Sequence, residues 1–158
     1  MNTKFKLLGL ALLGLFIMTV SCSKNTDDAI EEELLGIKFE VTVTGDNGFS
    51  STTGYGRMDG NNFVITSDKG DMEIFLYVKE FKKGDYYFND TSNHATFTYH
   101  KEDIPKIFTS TETKDNYVKI TNVHTDGVKF DGKFSFMCVD KDNNIKNVSG
   151  SWINLPKK

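Results

Sequence analysis

From residue 37 onward the chain is written in short apolar runs that alternate residue by residue and break at Gly, Asp and Asn. Ile37, Phe39, Val41 and Val43 share one side of a period-two repeat, with Lys38, Glu40, Thr42 and Thr44 on the other. That is the pattern of a strand with one buried face. Gly45-Asp46-Asn47-Gly48 ends it, and the Gly- and Ser-rich stretch to Gly56 reads as a loop or an irregular edge. Asp59-Gly60-Asn61-Asn62 predicts a hairpin turn into a strand over residues 63–66, and Asp68-Lys69-Gly70-Asp71 predicts the next turn. In residues 73–78, Ile74, Leu76 and Val78 alternate with Phe75 and Tyr77. Both faces are apolar, which predicts a central strand or one covered on both sides. Further strands are expected over residues 86–88, 95–99, 117–121, 128–139 and 145–155, with turns at Lys83-Gly84-Asp85, Asp126-Gly127 and residues 140–144. The polar segment 100–115 has no clear period, and Pro105 argues against a central strand there. No helical repeat interrupts the series. Roughly eight or nine evenly spaced strands predict an all-β fold, an antiparallel β-sandwich first and a small β-barrel as the alternative.

The first 34 residues follow different rules. Lys4 and Lys6 precede an apolar run over residues 7–20, which ends at Ser21-Cys22. A positive start, an apolar stretch and a small residue before the cut are the three parts of a secretory signal. The run is shorter than the ~20 residues that a membrane-spanning helix needs. Thr19-Val20-Ser21-Cys22 resembles a lipobox, where bacterial lipoproteins are cleaved and lipidated, with Thr19 where leucine is usual. An ordinary signal-peptide cut and an uncleaved anchor are the other readings of the segment. The expected organisation is a signal peptide over 1–21, a tether over 22–34 lipidated at Cys22, and one domain over 35–158. The tether reads Ser23-Lys24-Asn25-Thr26-Asp27-Asp28 and then Ala29-Ile30-Glu31-Glu32-Glu33, polar and acidic, with little that could pack. It resembles the acidic signals that send some Bacteroidota lipoproteins to the outer face of the outer membrane.

Removal of residues 1–21 takes Lys4 and Lys6 from 19 basic residues and leaves the 22 acidic ones untouched, a net charge of −5. A phosphate-binding surface should be basic, so nucleic acid is not expected as a partner. Two cysteines, one of them expected to carry lipid, do not make a disulfide scaffold.

Five segments recur in this order in a family of small Bacteroidota lipoproteins of unknown function. They are Gly84-Asp85-Tyr86-Tyr87-Phe88, Ala95-Thr96-Phe97-Thr98-Tyr99, Tyr117-Val118-Lys119-Ile120-Thr121, Asp131-Gly132-Lys133-Phe134-Ser135-Phe136 and Val148-Ser149-Gly150-Ser151-Trp152. The chain resembles that family, and the resemblance implies an all-β domain at the cell envelope. It implies no activity and no catalytic residues. Gly132 and Gly150 are expected where aromatic rings on neighbouring strands need room, because a glycine lets a ring lie across the backbone.

Candidate chemistry is sparse. His94 and His100 flank one strand six residues apart, about 20 Å if extended, too far to share a metal. With His124 they are expected as exposed loop histidines. Cys138 shares a face with Phe134 and Phe136 and is expected in the core, with Asp140 and Asp142 disfavouring a thiolate. Asp140, Asp142 and Asn144 stand at alternate positions, a spacing that resembles the first half of a calcium loop. Ile145 replaces its glycine and Ser151 its glutamate, so the segment is read as a solvated turn and those three residues stand as the metal candidates. Gly150-Ser151-Trp152 is similar to the Gly-x-Trp of lipocalins but lies in the last strand instead of the first. Tyr55, Tyr77, Tyr87, Tyr99 and Trp152 are the candidate binding aromatics.

No catalytic constellation and no cofactor motif is found, so an enzyme is not expected. The expected function is a lipid-anchored, non-enzymatic module at the outer membrane or cell surface that binds a protein or a glycan. The alternative is an inhibitor or immunity lipoprotein that blocks a toxin or hydrolase.

Overall fold

The computed structural model describes residues 36–100 and 104–158. The expected signal peptide, tether and lipidated Cys22 lie outside the described residues. The domain is all-β. Its strands are β1 (Lys38–Val43), β2 (Phe49–Ser51), β3 (Tyr55–Asp59), β4 (Asn62–Lys69), β5 (Met72–Val78), β6 (Gly84–Tyr87), β7 (His94–Tyr99), β8 (Lys106–Ser110), β9 (Tyr117–Val123), β10 (Lys129–Val139) and β11 (Ile145–Pro156).

All 11 strands join one antiparallel sheet in the order β2-β1-β11-β10-β8-β7-β5-β4-β3, with β9 on β10 and β6 on β9. The sheet curls into a half-barrel, and the layers that face one another are parts of this one sheet. The count exceeds the eight or nine expected, for local reasons. The stretch read as a loop or an irregular edge, up to Gly56, contains β2 and the start of β3, the strands at the two ends of that order. The unreadable segment contains β8, whose pairing begins at Lys106, one residue after Pro105. A proline just outside a strand removes no ladder hydrogen bond, so Pro105 does not forbid the strand.

Alternation builds the core. Phe130, Gly132, Phe134, Phe136 and Cys138 all point inward from β10 and are buried. Trp152 stacks on Phe39 and on Phe134, with centroids 5.9 and 6.3 Å away, and those two rings also meet each other at 5.9 Å. Gly132 sits opposite Trp152 and Gly150 opposite Phe134, as the glycine pattern predicts. A Cβ on Gly132 would stand 2.1 Å from the Trp152 ring.

One edge of β10 forks. Its first half pairs β9 from Phe130 to Ser135, and its end pairs β8 at Cys138 and Val139. Met137 falls in the gap. Its N–H donates to Asn116 Oδ1 at 2.9 Å, and its carbonyl accepts from Thr111 N at 2.9 Å and Asn116 Nδ2 at 3.3 Å. Buried backbone polar groups need such partners. At the far end the curl brings β3 to the chain terminus, where Gly56 bridges Lys157 and Lys158 N donates to Gly56 O at 2.8 Å.

Candidate functional site

The strand β4 is buried on both sides from Phe63 to Ser67. Phe63 and Ile65 enter the core, while Val64 points the other way yet is only 1% exposed. Register explains this. One row across the outer face runs Arg57, Val64, Tyr77, His94, and the next runs Tyr55, Thr66, Phe75, Thr96, Thr109. The Tyr77 and His94 rings stack at 4.2 Å and 8°, and Phe75 lies 6.3 Å from Tyr77. Lys158 Nζ stands 3.9 Å over the Tyr55 ring. Burial lowers the pKa of His94, so this ring favours its neutral, stacking form. Burial, with Asp59 as a secondary cause, raises the pKa of the Tyr77 hydroxyl. The outer face is thus a fixed set of aromatic rings beside threonine hydroxyls, held by five hydrogen-bonded strands. Tyr55 and Tyr77 are two strands and one row apart, about 12 Å.

The other candidate aromatics go elsewhere. Tyr87 is 46% exposed and pairs with Tyr117 between β6 and β9, beside the Asp85–Lys119 ion pair at 2.9 Å. Trp152 is 1% exposed and belongs to the core, so it takes no part in a surface platform. Its place opposite Gly132 buries it. Tyr99 packs against the core from the concave side.

Tyr99 lines a pocket of about 430 Å³ where the turn after β1, the end of β7, the start of β8 and the β10–β11 turn converge. Lys146 Nζ donates to Asp46 Oδ2 at 2.7 Å and lies 6.0 and 5.8 Å from the Tyr99 and Phe108 ring centres. Burial, helped by Asp46, pushes the Tyr99 hydroxyl up to about 12. Asp140 and Asn144 close the pocket. Asp140 Oδ1 accepts from Asp142 N and Asn144 N at 2.9 and 2.8 Å, and Oδ2 accepts from Asn144 Nδ2 at 2.7 Å. The carboxylate is engaged in shaping its own turn, and hydrogen bonds from Asn144 hold its pKa down. Among the described residues, no group of three or more His, Cys, Asp or Glu is placed to hold a metal.

Two of the three histidines depart from the expected exposed loops. His94 is half-buried on β7 because Tyr77 covers it, and His124 is half-buried with Nε2 3.1 Å from Asp131 Oδ1. His100 is exposed, 3.5 Å from Glu73. Cys138 is in the core, its Sγ donating to Lys146 O at 3.5 Å, and burial pushes its thiol up to about 12. Sequence reasoning missed Phe75, His94, Asp46, Phe108 and Lys146. The two apolar faces of residues 73–78 pointed to the first; the others depend on cross-strand register.

A search of the curated proteins and a search of the solved structures each found no match. Residues 39–156 match the family described as a domain of unknown function, DUF6252. The match spans nearly the whole β-domain, and the chain belongs to that family.

Proposed function

We propose that this protein is a non-enzymatic binding module of the cell envelope of a Bacteroidota-type bacterium. In this reading, lipid on Cys22 holds it at the outer membrane or cell surface, residues 22–34 serve as the tether, and the domain takes a glycan or protein partner. The observation that carries the binding reading is the gathering of Tyr55, Phe75, Tyr77 and His94 on one outer face beside Thr66, Thr96 and Thr109. Rings with an apolar face and a polar edge bind at low entropic cost. Neighbouring hydroxyls both donate and accept, which suits a sugar chain lying across the strands.

The test is capture by the full chain from a glycan array and from envelope extracts, compared with the Tyr55→Ser/Tyr77→Ser variant. Retention of a glycan or an envelope protein by the wild type, lost in the variant with an unchanged circular-dichroism spectrum, supports the reading. Capture that survives the double substitution, or no capture by the wild type, overturns it.

A further inference from the structure

The concave pocket has a chemistry distinct from that of the outer face. Its charges cancel: Asp46 and Asp140 are matched by Lys106 and Lys146. It therefore carries no net charge to favour an ion of either sign. What it offers is hydrogen-bonding capacity of both kinds beside two aromatic rings. Lys146, which lines the pocket, gives one of its three N–H donors to Asp46. Asp140 accepts three hydrogen bonds out of about four that a carboxylate can take. Asn144 donates its Nδ2 to Asp140, which leaves its Oδ1 as an acceptor. Tyr99 and Phe108 supply the apolar wall. The volume of about 430 Å³ lies within the range of about 300–1,000 Å³ common for small-molecule sites.

We propose that this pocket binds a neutral saccharide, a mono- or disaccharide unit whose apolar ring face lies against Tyr99 and Phe108 and whose hydroxyls meet Lys146, Asp140 and Asn144. A hydroxyl-rich ring is the ligand class that satisfies donors and acceptors together while presenting C–H groups to an aromatic wall. An anion would use Lys146 and oppose Asp140; a cation would do the reverse. A wholly apolar ligand would strand all three polar side chains. The inference stands apart from the outer-face reading, since the two sites share no residue.

The experiment titrates isotopically labelled full chain with glucose, N-acetylglucosamine and maltose, with acetate as an anion control, and follows amide shifts. The expected result is that a sugar moves Tyr99, Phe108 and residues 140–146 while acetate leaves them in place. Lys146→Met, which keeps the aliphatic stem, and Asn144→Ala should each weaken that binding about tenfold, or about 1.4 kcal/mol. Shifts caused by acetate and not by sugars, or no shift with any of the three sugars, would overturn the proposal. Sugar shifts confined to Tyr55, Phe75 and Tyr77 would overturn it too, while leaving the outer-face reading intact.

Discussion

Gly132 and Gly150 show how a single residue type can specify a packing arrangement. Added Cβ atoms would lie 2.5 Å from Lys119 O at the first and 2.0 Å from Glu40 O at the second, and backbone cannot step aside cheaply. Gly132→Ala should therefore destabilise the domain by about 1–3 kcal/mol, read as a lower denaturation midpoint at unchanged slope. Stability equal to wild type would show that Trp152 does not occupy the space above residue 132. The role of these glycines was legible because only glycine fits under a ring; Trp152 itself was misread as a surface candidate because periodicity does not say which face is the core. Cys138 yields a second prediction. Its folded pKa of about 12 exceeds the ordinary 9.0, so the unfolded thiol ionises first as pH rises. The stabilising contribution is complete below about pH 9 and is lost as pH climbs towards 12. Tyr99, raised from 10.0 to about 12, acts in the same direction. Denaturation midpoints measured across this range should fall, and fall less steeply in Cys138→Val; an identical slope in that variant would contradict the burial of the thiol.

At the scale of elements, the long strands β10 and β11 carry the sheet, and the short ones were hidden in the sequence. Residues 106–115 resisted reading because their order comes from far away. Asn116 closes the fork in β10 by bonding both Thr111 and Met137, a constraint set by a residue 21 positions on. No local period records that. Asn116→Ala should cost about 1–3 kcal/mol, because it leaves the half-buried Met137 N–H without its acceptor. Hydrogen exchange should show faster exchange at Met137 and Thr111 than in the wild type, while Phe134 and Val148 stay protected. Unchanged protection at Met137 would refute the fork. The bulge in β10 offers a parallel case. Asp131 Oδ1 accepts from Asn154 N at 2.8 Å, and Asn154 adopts a φ of 54°. Asn154→Gly should be tolerated there, since glycine takes positive φ freely, whereas Asn154→Val should destabilise the fold. Thermal unfolding of the two variants decides it, and equal losses would contradict the role given to that φ.

At the scale of the molecule, the alternation in residues 37–43 and 128–139 announced an all-β domain, but not how its sheet closes. Closure rests on the curl that carries β3 to Lys157 and on Phe63 packing edge-on against Phe130 at 5.4 Å, contacts between distant parts of the chain. The outer face was legible in part. Tyr55 and Tyr77 stood out by type and alternation put Phe75 beside Tyr77, but only register shows that His94 joins them and that Tyr87 and Tyr99 do not. The proposed function also depends on placement, because a tethered binding module would act where it is held. Metabolic labelling with a radioactive fatty acid, followed by membrane fractionation of cells expressing the full chain, tests that directly. The wild type should carry label and sediment with membranes; Cys22→Ala should lose the label while its β-domain unfolds at the wild-type temperature. Label retained on Cys22→Ala, or a wild-type chain without lipid, would contradict the account.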